Sequence, residues 1–586
     1  MKNRFFKSGK YSAPRAAVCL ALALLMILCG CRRIEKPSAE SSTQSRVEPS
    51  SAASTQKSET APVWADIKLS DFTLVRPFDA SESIIDAVKE LNRTVKYKTG
   101  TPLNIKTDMT SDKESPYEIL IGDVEYEESQ NLAEELGFGE YAIRTAQEEN
   151  GGKILIVGIT EAITIKAVEI FAGMITDGTL FESDGSITEL ELCENLYASY
   201  EDFELVLGDE IVVAQGEETY WGYYQFPCLA YTSDGRISLN WSIHNDSLTV
   251  PWTGPSLEFS YSSDGGLTWS KKSYTGSTKI PEVVMSNGKC FAGFGGKETL
   301  TVDYLDQYTP KASRNGADIY LASEIEELDK TFIAYEYDPV TKIKTSFDVT
   351  INWPDMPATV YNGNQIVSLQ RTFSITNPDM GAVALDDGLY FATYSRSIYR
   401  HGLYSVFIFR STDNARSWDM IREIAVSADE NYPKMEGFNE PSMNVMPDGS
   451  VVLLMRIGNG AGYPCYITRS TDNCKTWSKP EVFGEIGVLP QILTLDCGVT
   501  VATFGRPKLY VRATSDYSGM EWEEPVEITF SEPDRLTTKS CCYTRLLPLD
   551  EDTLLMAYTD FNYPNQNGEG TLKTILVRTV TIVPKG

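Results

Sequence analysis

Apolar residues recur at the spacing of an amphipathic helix in two stretches of the chain. One covers residues 84–91, behind Ser81, which is suited to an N-cap, and the other covers residues 163–174. Short apolar runs of the kind that form strands lie between them, at residues 117–121, 140–145 and 153–157. A further, polar helix is predicted around residues 129–136, so the order from residue 117 onward is β-α-β-β-α, and the pattern predicts a small α/β domain over residues 64–198. Since none of its residues forms a recognisable chemical motif, we interpret it as non-catalytic.

From about residue 205 the pattern changes to short strands separated by turn residues. Four of the five intervals between successive turns measure 49 to 61 residues, the size of a four-stranded blade with its loops. The remaining interval of 100 residues predicts an insertion between Gly295 and Gln370. The six hairpin-type turns are Asp234-Gly235, Asn287-Gly288, Asp387-Gly388, Asp448-Gly449, Cys497-Gly498 and Glu551-Asp552.

A motif of eight residues is repeated three times in this region, at residues 262–269, 411–418 and 470–477, and a looser copy spans residues 514–522. Ser and Asp hydrogen-bond to their own backbone in a tight turn, Gly or Asn tolerates positive φ, and the final Trp supplies an apolar anchor. The three regular copies begin 22 to 28 residues after a hairpin turn, which places them between the third and fourth strands of a unit. We expect these residues to have a structural role.

The two ends of this region both read as strands, at residues 210–214 and 574–583. Pairing them would close a ring of sheets and remove its exposed edges. The pattern therefore predicts an all-β, six-bladed β-propeller over residues 205–586, preceded by the smaller α/β domain.

The first residues are typical of an export signal. A basic region precedes thirteen apolar residues, 16–28, which is too short a run for a transmembrane helix of about 20 residues. The run ends in Leu28-Cys29-Gly30-Cys31, which looks like a bacterial lipobox, so residues 1–31 are expected to be a lipoprotein signal peptide with Cys31 as the lipidated residue. Residues 32–63 are rich in serine and poor in large apolar residues, and they are expected to form a disordered linker. The protein would then lie at the extracellular face of the bacterial cell membrane, held by its lipid.

The composition excludes some classes of function. A formal net charge of −30 argues against nucleic-acid binding, which needs basic patches. The chain has only two histidines, so a His-based triad or a His-rich metal site is not expected. The cysteines beyond Cys31 show no CxxC pairs, and neither a zinc site nor a dense disulfide framework is indicated. No metal or cofactor is expected.

The repeated turn motif is the Asp box, and it resembles the repeats of the sialidase (neuraminidase) superfamily. Two further segments resemble that family's strands: residues 540–547, around Tyr543, and residues 439–442, around Glu440. Arg456 and Arg506 stand where two arginines of the family's triad belong. The resemblance implies that Tyr543 is the nucleophile, that Glu440 activates it, and that both arginines bind the substrate. The α/β domain is similar to the accessory domain that precedes the catalytic domain in alpha-glucuronidases and beta-hexosaminidases.

Two positions depart from the family's pattern. Gln225, in Tyr224-Gln225-Phe226-Pro227, takes the place of the first arginine, and glutamine offers neither charge nor a two-pronged fork to a carboxylate. Asp246 lies about where the acid/base aspartate belongs, although it is equally well explained as an exposed loop residue. Arg512 would face the same side as Arg506 on an unbroken strand, and Arg506 has the better register.

These observations predict a cell-surface, sialidase-like exo-glycosidase that acts on extracellular glycans. The site residues would be Tyr543, Glu440 and Asp246 for catalysis, with Arg456, Arg506 and Gln225 for substrate binding. Two alternatives stay open: a glycan-binding lipoprotein with a degenerate site, and a hydrolase for a different sugar.

Overall fold

The computed structural model describes residues 67–585 apart from short internal gaps. The gaps are residues 110–114, 149–150, 184, 247–254, 275, 277–278, 282, 296–299, 302–306, 327, 329–330, 362–364, 367–380, 427–434, 459–461 and 530–539. The segments interpreted as signal peptide and linker therefore lie outside the described residues. The chain divides into two compact units, one ending at Leu196 and the other beginning at Tyr197.

The N-terminal unit is built on a six-stranded sheet. Its strand order is β2-β1-β3-β5-β4-β6, with β2, β1, β3 and β5 parallel and β4 antiparallel to both β5 and β6. Gly151 and Gly152 are the first two residues of β5. The strands are β1 (Thr73–Arg76), β2 (Asn104–Thr107), β3 (Tyr117–Ile121), β4 (Glu140–Glu148), β5 (Gly151–Gly158) and β6 (Glu191–Asn195).

Three α-helices accompany this sheet: α1 (Glu82–Thr99), α2 (Glu127–Glu135) and α3 (Glu161–Asp177). As predicted, the Ser81 hydroxyl caps α1 by accepting a hydrogen bond from the backbone N–H of Ile84, and the helix buries its apolar stripe. Thr160 caps α3 in the same way. None of the described helices combines the length and the apolar character that crossing a bilayer requires.

The C-terminal unit is almost entirely β-structure, as the strand pattern predicted. Its first strands are β7 (Phe203–Leu207), β8 (Ile211–Gly216), β9 (Gln225–Tyr231), β10 (Ile237–Ser242), β11 (Leu257–Ser262), β12 (Val283–Val284), β13 (Cys290–Phe294), β14 (Leu300–Thr301), β15 (Ala312–Arg314), β16 (Ala317–Leu321), β17 (Phe332–Asp338), β18 (Ile343–Asn352), β19 (Pro357–Tyr361) and β20 (Gln365–Ile366). The later ones are β21 (Ala382–Leu385), β22 (Gly388–Arg396), β23 (Tyr404–Ser411), β24 (Ser417–Ile424), β25 (Met435–Val445), β26 (Val451–Gly458), β27 (Cys465–Ser470), β28 (Glu481–Gly484), β29 (Gln491–Thr494), β30 (Thr500–Gly505), β31 (Leu509–Thr514), β32 (Val526–Thr529), β33 (Arg545–Pro548), β34 (Thr553–Pro564) and β35 (Thr571–Pro584).

Successive strands of this unit pair as antiparallel meanders. They form the groups β9-β10-β11, β12-β13-β17-β18, β21-β22-β23-β24, β25-β26-β27-β28, β29-β30-β31-β32 and β33-β34-β35. A parallel pairing of β18 with β24, and a single bridge between Tyr404 and Gly437, join three neighbouring groups into a sheet of twelve strands. The expected insertion falls within the second group, where β14, β15, β16, β19 and β20 form a sheet of their own.

The two ends of the C-terminal unit are paired. Strand β35 runs antiparallel to both β7 and β8, with Val580 opposite Leu207 and Ile575 opposite Ala214. The expected pairing of the segments 210–214 and 574–583 is therefore observed. It supplies the last meander with a strand from the beginning of the unit.

Three of the Asp boxes connect the third and fourth strands of their groups, and the first box follows β11, the third strand of its group. In the second box, Ser411 Oγ accepts the Ala415 N–H at 3.0 Å, and Asp413 accepts the Ser417 N–H at 2.8 Å. Asn414 and Ala415 have positive φ, the conformation for which glycine or asparagine was expected. The indole N–H of Trp418 closes the turn on the Ala415 carbonyl at 3.2 Å. The boxes are structural turns with their polar atoms paired locally.

Replacing Ser411 by alanine is expected to lower the free energy of unfolding of the C-terminal unit by about 1–3 kcal/mol, because the buried Ala415 N–H loses its acceptor. Urea unfolding followed by circular dichroism measures this. The neighbouring Thr412→Ala is the matched control, since Thr412 is exposed and its hydroxyl makes no hydrogen bond among the described residues. Equal unfolding midpoints for the two variants would contradict the expectation.

Candidate active site

Four segments of the C-terminal unit carry side chains to one place, and each departs from regular strand geometry there. Glu440 on β25, Phe226 on β9, Arg506 after β30 and Cys542 before β33 all have positive φ, which is uncommon for residues other than glycine. The pairing of β25 with β26 shifts register on either side of Asn439, and β9 shifts against β10 at the same level as Phe226. Such bulges re-aim side chains out of the pleat, and they are common beside active sites.

Tyr543, Glu440 and Arg456 form a hydrogen-bonded cluster. The Tyr543 hydroxyl donates to Glu440 Oε1, and Arg456 Nη1 donates to the same oxygen at 2.8 Å. Arg456 Nη1 also lies 3.4 Å from the Tyr543 hydroxyl oxygen, while its Nε donates to the Gly458 carbonyl at 2.7 Å. The second Glu440 oxygen accepts the backbone N–H of Leu489 at 2.9 Å. Both carboxylate oxygens and the phenol are thereby fixed in orientation.

The electrostatics of this cluster keep Glu440 ionised. Burial by itself raises the pKa of the Glu440 carboxyl, but the charge of Arg456 and the hydrogen bonds from Tyr543 and Arg456 outweigh it and hold the pKa below its ordinary value. Burial lowers the pKa of Arg456, and the Glu440 charge more than reverses this. At neutral pH the pair is a carboxylate beside a guanidinium.

The Tyr543 phenol stays protonated in the same environment. Burial and the charge of Glu440 raise its pKa well above the ordinary value, although Arg456 and Arg506 act in the opposite direction. The phenol proton therefore rests on Tyr543, with an ionised carboxylate hydrogen-bonded to it. The proton passes from Tyr543 to Glu440 only as the phenol oxygen forms a bond to another atom, because that bond makes the oxygen less basic.

Arg506 lies on the other side of the Tyr543 ring. Its guanidinium carbon is 5.4 Å from the centre of that ring, and its Nε and Nη2 donate to the Cys541 carbonyl at 3.2 and 2.7 Å. Among the described residues, no acceptor meets Arg506 Nη1. The alternative Arg512 is elsewhere, since its three guanidinium nitrogens donate to the carbonyls of Phe483, Trp522 and Glu523.

Gln225 is placed differently from a substrate-binding side chain. It is fully buried, and its Oε1 accepts the backbone N–H of Gly222 at 3.2 Å. Its amide nitrogen is buried without a hydrogen-bond partner among the described residues. The structure thus uses this position to hold the turn before β9.

Asp246 lies on an exposed loop at the edge of the cluster. Its Oδ2 accepts the indole N–H of Trp221 at 3.2 Å, and its backbone N–H donates to the Trp221 carbonyl at 3.2 Å. The segment 251–255, which departs from the usual sequence of the family, lies outside the described residues apart from Pro255. The His244 Nδ1 atom lies 2.9 Å from the Asn245 carbonyl oxygen.

Three aromatic residues near this cluster were not found by sequence reasoning. The ring of Phe226 lies 4.9 Å from that of Tyr543, and Trp221 lies over the Arg506 guanidinium at 5.1 Å. Tyr394, half-buried on β22, has its pKa raised well above the ordinary value by burial first and by the charge of Glu440 second. Its position near the end of a second strand, like that of Arg456 on β26, was the available signal.

Comparison with known proteins agrees with the β-rich, repeat-containing C-terminal unit. Residues 338–526 match the BNR repeat-like domain. A protein of unknown function from Dyadobacter fermentans is 17% identical, with 64% of this chain and 99% of that chain covered at a TM-score of 0.43. A Hadza microbial sialidase is 14% identical over 68% of this chain and 71% of that one, with a TM-score of 0.31. An alpha-L-arabinanase of Penicillium chrysogenum is 13% identical over 64% and 98% of the two chains, with a TM-score of 0.31. No match to a curated protein was found.

Proposed function

We propose that the C-terminal unit is a glycoside hydrolase in which Tyr543 is the nucleophile and Glu440 is its general base. The observation that carries this proposal is the hydrogen bond from the Tyr543 hydroxyl to Glu440 Oε1, with Arg456 donating to the same oxygen. A nucleophile in hydrogen-bond reach of a base, with the base oriented by a third group, is the recurring arrangement for covalent catalysis.

The choice of a phenol is explained by the charge of the substrate. A sugar that carries a carboxylate at the reacting carbon would repel an aspartate or glutamate nucleophile, whereas a neutral phenol attacks without that cost. Tyrosine nucleophiles are the known exception to the two-carboxylate rule for this reason. A phenol with a raised pKa needs a base beside it, and Glu440 is held ionised for that role.

The proposed reaction has two displacements. The Tyr543 oxygen bonds to the anomeric carbon as its proton passes to Glu440, and the bond to the leaving oxygen breaks while Asp246 protonates that oxygen. In the second step Asp246 takes a proton from water, whose oxygen displaces Tyr543, and Glu440 returns the proton to the phenol. The anomeric configuration is thereby retained.

Arg456 and Arg506 are proposed to bind an acidic group of the sugar. Both are buried guanidinium groups beside the Tyr543 hydroxyl or ring, and Arg506 Nη1 has no acceptor among the described residues. A guanidinium at such a site binds carboxylate in a defined orientation. With Gln225 engaged in holding its own turn, this binding rests on two arginines.

We also propose the setting of this site. The six meanders are inferred to be the blades of a six-bladed β-propeller, closed by the pairing of β35 with β7 and β8. The lipid on Cys31, the linker of residues 32–63 and the accessory α/β domain would hold the propeller outside the cell membrane, where it meets extracellular glycans. Neither a metal nor a cofactor takes part in the proposed steps, and no nucleic acid is a partner.

A second function, glycan binding without hydrolysis, is favoured by one observation. Gln225 stands where the resemblance to sialidases places an arginine, and its Oε1 accepts the Gly222 N–H, so this position offers no charge to an acidic sugar. This alternative predicts saturable binding of a glycan with no release of sugar.

Hydrolysis of a panel of 4-methylumbelliferyl glycosides, sialosides included, separates the two functions. The proposal predicts release of the fluorophore from an acidic sugar, and capture of that sugar on Tyr543 by a fluorinated glycosyl fluoride, found by mass spectrometry of the peptide. Binding to a glycan array with no turnover of any panel member would favour the alternative. Capture on a residue other than Tyr543 would refute the proposed mechanism.

Replacing Arg456 by glutamine is expected to move the acidic limb of the pH profile of kcat/KM to higher pH. The Arg456 charge lowers the pKa of Glu440, so without it burial dominates and the base is protonated at a higher pH. The pH profile of the variant measures the shift. Arg469→Gln is the control, because Arg469 bonds to Ser450 and Asp448 outside this cluster. An unmoved acidic limb would show that Glu440 is not the group that titrates.

A further inference from the structure

Asp246 is an exposed residue on a loop, yet the proposed chemistry needs its carboxyl in a fixed place. The contact that orients it is Trp221, which engages it twice. The indole Nε1–H donates to Asp246 Oδ2, and the Trp221 carbonyl accepts the Asp246 N–H, both at 3.2 Å. An exposed aspartate bound through both side chain and backbone has lost most of its rotational freedom.

The same indole ring reaches toward the nucleophile. It lies 5.1 Å from the Arg506 guanidinium carbon, which in turn lies 5.4 Å from the centre of the Tyr543 ring. Phe561 supports the indole from the side, with ring centres 5.9 Å apart and planes at 88°. One residue therefore connects the proposed acid with an arginine of the proposed binding site.

The turn that carries Trp221 is held firmly. Gly222 has φ of 102°, and a Cβ atom there would lie 2.2 Å from the His244 carbonyl oxygen and 2.5 Å from the Asp246 nitrogen. Only glycine permits this approach of the two loops. The Gly222 N–H donates to Gln225 Oε1, and Lys573 Nζ donates to the Tyr220 carbonyl at 2.7 Å. The buried Gln225 thus belongs to the support of Trp221.

We propose that Trp221 is a positioning residue, which fixes the Asp246 carboxyl over the leaving oxygen. This inference rests on the proposed hydrolase function and adds to it a residue that does not itself react. A displacement of a catalytic group by about 1 Å is enough to slow a reaction on the order of 100-fold.

The test compares two substrates whose leaving groups differ in how much they need protonation by Asp246. The 4-methylumbelliferone group departs without protonation, whereas the sugar hydroxyl released from an oligosaccharide must be protonated as it leaves. With Trp221→Phe in the full chain, kcat/KM for sialyllactose is expected to fall about 10–100-fold and that for 4-methylumbelliferyl N-acetylneuraminide by less than about 3-fold. If the panel identifies another sugar as the substrate, the 4-methylumbelliferyl glycoside and an oligosaccharide of that sugar replace these two substrates. Asp246→Asn should show the same selectivity, and the double variant should be no worse than Asp246→Asn.

Trp522→Phe is the matched control for the loss of one indole hydrogen bond. The Trp522 indole donates to the Gly519 carbonyl at 2.9 Å within its Asp box, away from Asp246. This variant should leave the ratio of the two substrates unchanged. Equal loss on both substrates in Trp221→Phe, or additive losses in the double variant, would overturn the positioning role.

The contact itself is tested without any substrate. In protein labelled with ¹⁵N-tryptophan, the indole N–H resonance that disappears in Trp221→Phe should move in Asp246→Ala, while the Trp522 resonance stays in place. A Trp221 resonance that does not respond to Asp246→Ala overturns the inference whatever the kinetics show. Full activity of Tyr543→Phe, by contrast, would refute the proposed hydrolase mechanism while leaving the contact established.

Discussion

Tyr543→Phe is expected to lower kcat on the best panel substrate by at least about 10³-fold. The phenol oxygen is the atom that forms the covalent bond, and the phenyl ring that remains can neither attack the anomeric carbon nor pass a proton to Glu440. The fold should tolerate the change, because the ring keeps its contacts with Phe226 and Arg506. Thermal unfolding of the variant should therefore resemble that of the parent.

Tyr394→Phe is the control for this prediction. The charge of Glu440 raises the pKa of Tyr394 after burial does, yet no proposed step uses the Tyr394 hydroxyl, so a loss of less than about 10-fold is expected. Glu440→Gln should approach the deficit of Tyr543→Phe, and the double variant should be no slower than the worse single one, since both groups act in one step. A Tyr543→Phe variant as active as the parent would exclude the tyrosine nucleophile.

Trp418→Ala is expected to destabilise the C-terminal unit by about 3–5 kcal/mol. Trp418 is completely buried, and its ring lies 5.5 Å from that of Phe291, 5.8 Å from that of Phe294 and 6.2 Å from that of Phe391. These phenylalanines come from two neighbouring meanders, so removing the indole opens a cavity between them. The hydrogen bond that closes the box on the Ala415 carbonyl is lost as well.

Trp477→Ala provides the graded comparison, because Trp477 occupies the same position of the next box but is only half-buried. The destabilisation caused by Trp477→Ala should be clearly smaller than that caused by Trp418→Ala. Scanning calorimetry on both variants, read at the transition of the C-terminal unit, measures the difference. Similar losses of stability would mean that the hydrogen bond each tryptophan makes within its own box contributes more than the packing of its ring.

The repeats made the C-terminal unit predictable. Turn spacing located the hairpins, and three of the four Asp boxes fell between third and fourth strands. The Ser, Asp and Trp of a box form their hydrogen bonds within eight residues. Hydrogen bonds within so short a segment can be predicted from the sequence. In the N-terminal unit β1, β2 and β6 were missed. Strands β2 and β6 are short and mostly polar at the edges of the sheet, and β1 is only four residues long.

The candidate site was predictable only in part. Tyr543, Glu440, Arg456 and Arg506 were chosen by the resemblance of their segments to those of sialidases, and the structure brings the four side chains together. The burial of Gln225 and the position of Trp221 were not foreseen, because they depend on the bulge between β9 and β10 and on positive φ angles that no hydrophobic periodicity encodes. Where a strand leaves its regular geometry, alternation no longer tells which way a side chain points.

The pairing of β35 with β8 has a consequence for how the protein is made. Ile575 and Ala214 are neighbours in the sheet but 361 residues apart in the chain. At about 5–20 residues per second, a ribosome needs roughly 20–70 s to travel from one to the other. During that time β7 and β8 have no strand to pair with, and their open edge must be shielded from other nascent chains. Completion of this sheet therefore waits for the synthesis of β35.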